Sequence, residues 1–212
     1  MSHLDDLDRA AHALATGTPL TARTLDWLPG QLAADAAAGT FAQWGRSTLL
    51  DELTGGPILG APVLHVLQRW GGLPEEFPAT NAGLAHVYGY LLSVVETPYG
   101  LKRDRWLDGT LALRLGLPAE HFHPWHRPDS RTLAQRVTEA ALPLLARPPR
   151  DALLVRDDEA DLRTVVTAEG VLIYGWPERL VTVFGVDTRP ERMAELREQA
   201  GVARYNVVLD RE

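Results

Sequence analysis

Residues 147–186 read RPPRDALLVRDDEADLRTVVTAEGVLIYGWPERLVTVFGV, and here the chain changes from a helical to a strand-like pattern. Arg147-Pro148-Pro149-Arg150 is a hinge by its prolines. Beyond it, residues 152–155, 162–167, 171–174 and 180–186 are rich in β-branched residues and bounded by turn signals, which predicts four strands. The turns between them, Asp157-Asp158-Glu159, Glu169-Gly170 and Gly175-Trp176-Pro177-Glu178, are short enough for an antiparallel meander. Thr188-Arg189-Pro190-Glu191 then resembles a capping box with an early proline, opening a helix that Gly201 ends. Residues 205–209 can return as a last strand.

Upstream of the hinge the period is helical. Ser2 and Asp5 form an S-x-x-D cap for a first helix, with Leu4, Leu7, Ala11 and Leu14 on one face. A second helical pattern covers residues 25–38 and stops at Gly39. Ser47 could cap a third, through Leu53, before Thr54-Gly55-Gly56-Pro57 breaks it. A strongly apolar segment follows, predicting a buried helix from near Pro62 to Trp70. Asp108 or Thr110 opens a short helix, and Ser130 caps a longer one running to about Ala146. The expected class is therefore α+β: a mostly helical N-terminal two-thirds (1–147), then an antiparallel β-meander with one further helix (151–212). A sheet of this size leaves one face bare, so the two regions are expected to pack as one compact unit.

Residues 81–106, NAGLAHVYGYLLSVVETPYGLKRDRW, hold the densest set of chemically useful groups. Leu84, Val87, Tyr88, Leu91, Leu92 and Val95 follow the core stripe of an α-helix capped by Thr80 or Asn81. Beside that stripe, Ala82, His86, Gly89, Ser93 and Glu96 form a more polar face. Thr97-Pro98-Tyr99-Gly100 suits a type I turn and ends the helix. Lys102, Arg103 and Arg105 follow within four positions. If the turn folds them back over the polar face, they form an anion clamp for a carboxylate or phosphate. In this reading His86, Glu96 and Tyr90 carry acid–base chemistry, while Ser93, Tyr99 and the three cations bind substrate. The plain alternative is a solvated basic loop.

His121-x-His123-x-x-His126 gathers three of the seven histidines. Such density could hold a divalent metal such as zinc, although the i, i+4 spacing of helical zinc motifs is missing. A connector with exposed imidazoles explains the same residues.

Composition narrows the classes. The 212 residues are 45% hydrophobic and 23% charged, ordinary values for a globular chain. A net charge of −7 disfavours a broad nucleic-acid surface. With no cysteine, disulfides, thiolate metal sites and a cysteine nucleophile are excluded. The acidic N-terminus has no signal-like pattern and no run is long enough to span a membrane, so a soluble cytoplasmic protein is expected. Richness in Ala, Arg, Leu and Pro fits a GC-rich bacterial genome. Neither G-x-S-x-G, a P-loop nor G-x-G-x-x-G is present.

The order of helices and then an antiparallel meander is similar to small microbial ribonucleases and related toxins. That resemblance implies a catalytic sheet, yet His126 is the last histidine, leaving Arg163, Glu178 and Arg179 as the substitutes. Another alternative is a non-catalytic binding or assembly module, with Trp176, Pro177 and Phe184 at a contact between copies. The leading expectation is a small enzyme acting on an anionic small molecule.

Overall fold

The computed structural model describes residues 2–51, 54–97, 100–203 and 206–209. Four antiparallel strands form the meander in the order β5 (Leu154–Asp157), β6 (Arg163–Val166), β7 (Val171–Trp176) and β8 (Arg179–Gly185). Successive residues of β7 from Val171 to Gly175 are all buried, so this strand is covered on both faces. Helix α6 (Leu133–Ala146) packs across β6, β7 and β8, and α5 (Thr110–Arg114) lies against β8. Between β7 and β8 the register shifts at Tyr174/Gly175. A Cβ at Gly175 would come within 2.8 Å of the Val181 backbone nitrogen, so glycine permits the close approach.

The far edge of the meander continues into the N-terminal region. Gly45 N–H donates to the Leu180 carbonyl at 2.8 Å, and Ala82 N–H donates to the Gly45 carbonyl at 2.8 Å. Next to this junction, β1 (Arg46–Thr48) pairs antiparallel with β2 (Ala79–Asn81) on one side and β9 (Val207–Val208) on the other. The last strand therefore completes a small sheet begun early in the chain. Ser47 is thus a strand residue rather than a helix cap. Two-sided pairing of Arg46 and Ser47 overrides the weak local helix signal. The α+β class holds, and both regions share a single apolar cluster.

The remaining helices are α1 (His3–Ala15), α2 (Trp27–Ala37), α3 (Ala61–Trp70), α4 (Asp104–Leu107) and α7 (Pro190–Gln199). The α1 cap forms as its spacing suggests, with Ser2 Oγ accepting from Asp5 N–H and the Asp5 carboxylate accepting from Ser2 N–H. At α6 the cap is Thr132, paired with Gln135, two residues later than Ser130. Among the described residues, no helix is long and apolar enough to cross a membrane.

The central helix departs most from its sequence pattern. Leu84–Gly89 is a π-helix, and helical geometry ends at Leu91, so Val95 lies outside it. Every residue in 82–93 is buried, including the face expected to be polar. The helix is a core rod with no solvent side. Asn81 caps it, its Oδ1 accepting from Gly83 N–H at 3.0 Å and Leu84 N–H at 3.3 Å. Beyond the helix, β3 (Glu96–Thr97) pairs with β4 (Gly100–Leu101) in a small hairpin. Pro98 and Tyr99, the expected turn and one expected substrate-binding residue, lie outside the described residues.

Candidate functional site

Two polar clusters flank the central helix, one reached through Tyr88 and the other through Tyr90. Positions two apart on a helix point to opposite sides, so the pair divides the surroundings between them.

The Tyr88 side is closed. Tyr88 donates to Asp35 Oδ2 at 2.5 Å, and Thr132 Oγ1 donates to Asp35 Oδ1. Gln31 joins α2 to the start of α6, its Oε1 accepting from Leu133 N–H at 3.0 Å and its Nε2 donating to the Pro124 carbonyl at 2.8 Å. Burial raises the Asp35 carboxyl above its ordinary value, while hydrogen bonds from Thr132, Tyr88 and Thr40 pull it back. Burial, followed by the nearby Asp35 charge, holds the Tyr88 hydroxyl well above its ordinary value. Arg136, 1% exposed, donates to the Thr132, His121 and His123 carbonyls. Burial brings its guanidinium down to about 10, which leaves it charged at neutral pH. It fastens the 121–123 segment to α6.

On the Tyr90 side, His86 and Tyr90 place their ring centroids 4.9 Å apart. Lys102 Nζ and Arg105 Cζ lie 5.0 and 4.9 Å from the Tyr90 ring centroid, within cation–π range. Arg105 NH1 donates to Thr182 Oγ1 at 3.1 Å and to the Val183 carbonyl at 3.3 Å, and its guanidinium also faces Phe184. Lys102 Nζ forms an ion pair with Asp51 at 2.8 Å, with the lysine side chain 19% exposed. The structure therefore joins four of the expected site residues: His86, Tyr90, Lys102 and Arg105.

The arrangement of His86 is a structural pin. It is buried, with Nδ1 2.5 Å from the Val181 carbonyl and Nε2 3.1 Å from Ser47 Oγ. Ser47 Oγ itself lies 3.0 Å from the Asn206 carbonyl and 3.1 Å from the Thr48 carbonyl, so the imidazole joins a shared buried network. The His86 backbone carbonyl accepts from Trp106 Nε1 at 3.1 Å.

The other expected site residues lie elsewhere. Glu96 is exposed on β3, outside the helix, so the common helical face of His86, Ser93 and Glu96 does not form. Ser93 is buried in the helix exit, where its Oγ accepts from Val95 N–H at 3.2 Å. Arg103 turns the other way to pair with Asp8 of α1, leaving a buried NH1 with no hydrogen-bond partner among the described residues. Lys102 and Arg105 thus converge on Tyr90 without Arg103.

The histidine loop is shaped by its own packing. His123 Nε2 sits 3.0 Å from the Leu107 carbonyl, and its ring tilts against Trp125. The His121 ring meets Phe122 edge-on, and burial together with the charges of Arg136, Arg131 and His126 lowers its basicity. Among the described residues, no three His, Asp or Glu side chains are grouped to hold a metal ion, including His121, His123 and His126. Trp176 donates to the Ala160 carbonyl at 3.2 Å and lies under Arg179.

Comparison of the chain with protein-family models, curated proteins and solved structures gave no match. Any functional reading therefore comes from the site itself.

Several participants escaped sequence reasoning. Asp51 and Thr182 lie far along the chain from residues 81–106 and carry no motif. Asp35 and Gln31 did leave a signal, because Leu28, Gln31, Leu32 and Asp35 share the i, i+3, i+4, i+7 stripe of α2 and all four are buried. Polar residues in such a stripe point to buried partners.

Proposed function

We propose that this protein binds an anionic small molecule, a carboxylate or phosphate, at the Tyr90–Lys102–Arg105 cluster. The observation that carries the reading is the convergence of two cations on one tyrosine ring. An ammonium has three N–H donors, and the described ion pair with Asp51 accounts for one. Partial exposure of Lys102 gives solvent access, while Arg105 is held in place by β8, which lowers the ordering cost of binding.

The position of His86 supports binding over acid–base catalysis. A general base must reach the proton that it removes, whereas both ring nitrogens here meet protein groups. We accordingly favour a binding protein over the enzyme that the sequence suggested. A cytoplasmic location accompanies this reading, on the strength of the cysteine-free composition.

Calorimetric titration with benzoate tests the reading. Wild type should bind it, and Lys102→Met should weaken binding about tenfold, a loss within the range for hydrogen bonds to charged groups. Equal affinity in the two folded proteins would overturn it.

A further inference from the structure

We propose that a cavity beside the exit of the central helix binds a neutral, apolar molecule of about the size of benzene. The inference goes beyond the anion-binding reading and does not depend on it. A space of about 180 Å³, partly open to solvent, lies where the last turn of α1, the start of α3 and residues 92–95 meet. Leu14, Ile58, Leu59, Val63, Leu92 and Val95 supply aliphatic wall. Packed interiors leave few voids larger than a water molecule, whereas a cavity of about 150 Å³ lined by apolar side chains takes up benzene. The space is therefore large enough for a ligand, and its opening gives a way in.

Local chain geometry holds the walls apart. Helical geometry ends at Leu91, so residues 92–95 leave the helix as they pass the cavity. Ile58 N–H donates to the Leu49 carbonyl at 2.9 Å, which anchors the segment leading into α3, and Gly60 caps that helix without a side chain.

The lining selects for a neutral ligand. Among the described residues that form it, every side chain is that of Leu, Ile, Val, Ala, Pro or Gly, so its polar surface is peptide backbone. An ionised group entering the cavity would lose hydration with no side chain to replace it. The helix ends favour neither sign of charge, because the last turn of α1 is partially negative and the first turn of α3 partially positive. A neutral ring avoids the desolvation cost and removes apolar surface from water on both sides of the contact.

Methyl NMR of the full-length protein, titrated separately with toluene and with benzoate, tests the proposal. Toluene should give saturable shifts of the Leu59 and Val63 methyl signals while Val165 and Ile173 of the meander stay unmoved. Benzoate carries the same ring with a charge and should act on Leu59 and Val63 at least about tenfold more weakly. Val94→Phe and Ala15→Phe, at a half-buried and an exposed position of the lining, should each weaken toluene binding about tenfold by occupying the space. Absence of toluene shifts in wild type, shifts of Val165 and Ile173 as large as those of Val63, equal action of benzoate on Leu59 and Val63, or unchanged toluene affinity in the folded variants would overturn it. The wild-type titrations decide the matter even if neither variant folds. Benzoate shifts at Tyr90 bear on the anion site alone, so the two readings fail separately.

Discussion

Tyr88 and Tyr90 belong to one buried helix, yet they look onto opposite kinds of polar surroundings. Tyr88 faces a carboxylate whose oxygens accept from hydroxyls of two other elements, and the cluster is sealed. Tyr90 faces cations whose positions are held, with Lys102 partly exposed and, among the described residues, ion-paired to Asp51. A satisfied, water-free network fixes how helices meet, whereas a cluster open to solvent can exchange a partner. The difference places a structural network on the first side and is the ground for proposing ligand binding on the second.

The largest effect is expected where the closed side loses its acceptor. Asp35→Ala strands the hydroxyls of Tyr88 and Thr132 in the core, and at about 1–3 kcal/mol for each unsatisfied group the loss should be about 3 kcal/mol in urea unfolding. Tyr88→Phe leaves a bond missing rather than a new polar group and should cost about 1–2 kcal/mol. The same change at Tyr90 should cost under about 0.5 kcal/mol, because no hydrogen bond of its hydroxyl is described. A Tyr90 cost equal to that of Tyr88 would abolish the distinction between the two sides.

The pH dependence sharpens it. Burial holds the Asp35 carboxyl above its ordinary value, so the folded protein grips that proton more firmly than the unfolded chain. This contribution is complete below about pH 4, the unfolded value, and is lost as pH rises through the raised folded value. Asp35→Asn has no such proton to release. The stability of wild type relative to that variant should therefore fall as pH rises from about 4 toward neutrality. A difference that grows with pH would mean that the hydrogen bonds from Thr132, Tyr88 and Thr40 outweigh desolvation.

Smallest of all is Glu96→Gln. Exposed on its hairpin, Glu96 should change neither stability beyond about 0.5 kcal/mol nor benzoate affinity beyond about twofold. A large loss of binding would return Glu96 to the site.

The parts of the fold that were legible in sequence are those governed by local rules. The capping box of α1, the β-branched runs of the meander and the break at residues 147–150 depend on neighbours along the chain. Ser47 was misleading because its strand exists only through pairing with residues near 80 and 207, information that local propensity does not contain. The periodicity of residues 84–95 indicated a helix, but not that its polar face would also be buried or that Leu84–Gly89 would widen into a π-helix. For the site, Lys102, Arg105, Tyr90 and His86 were named together because they crowd one stretch. Arg103 was indistinguishable from its neighbours in that cluster, and only the packing of α1 shows that it turns toward Asp8. Asp51 belongs to the same site by a contact across the fold, which spacing does not reveal.

The central claim is that the Tyr90 side of the helix, and not the Tyr88 side, receives an anion. NMR of selectively tyrosine-labelled protein during a benzoate titration tests it most directly. The expected result is a saturable shift of the Tyr90 ring signals with those of Tyr88 unmoved, lost together with binding in Lys102→Met. Benzoate binding that leaves Tyr90 unmoved, or that shifts Tyr88 instead, would contradict it.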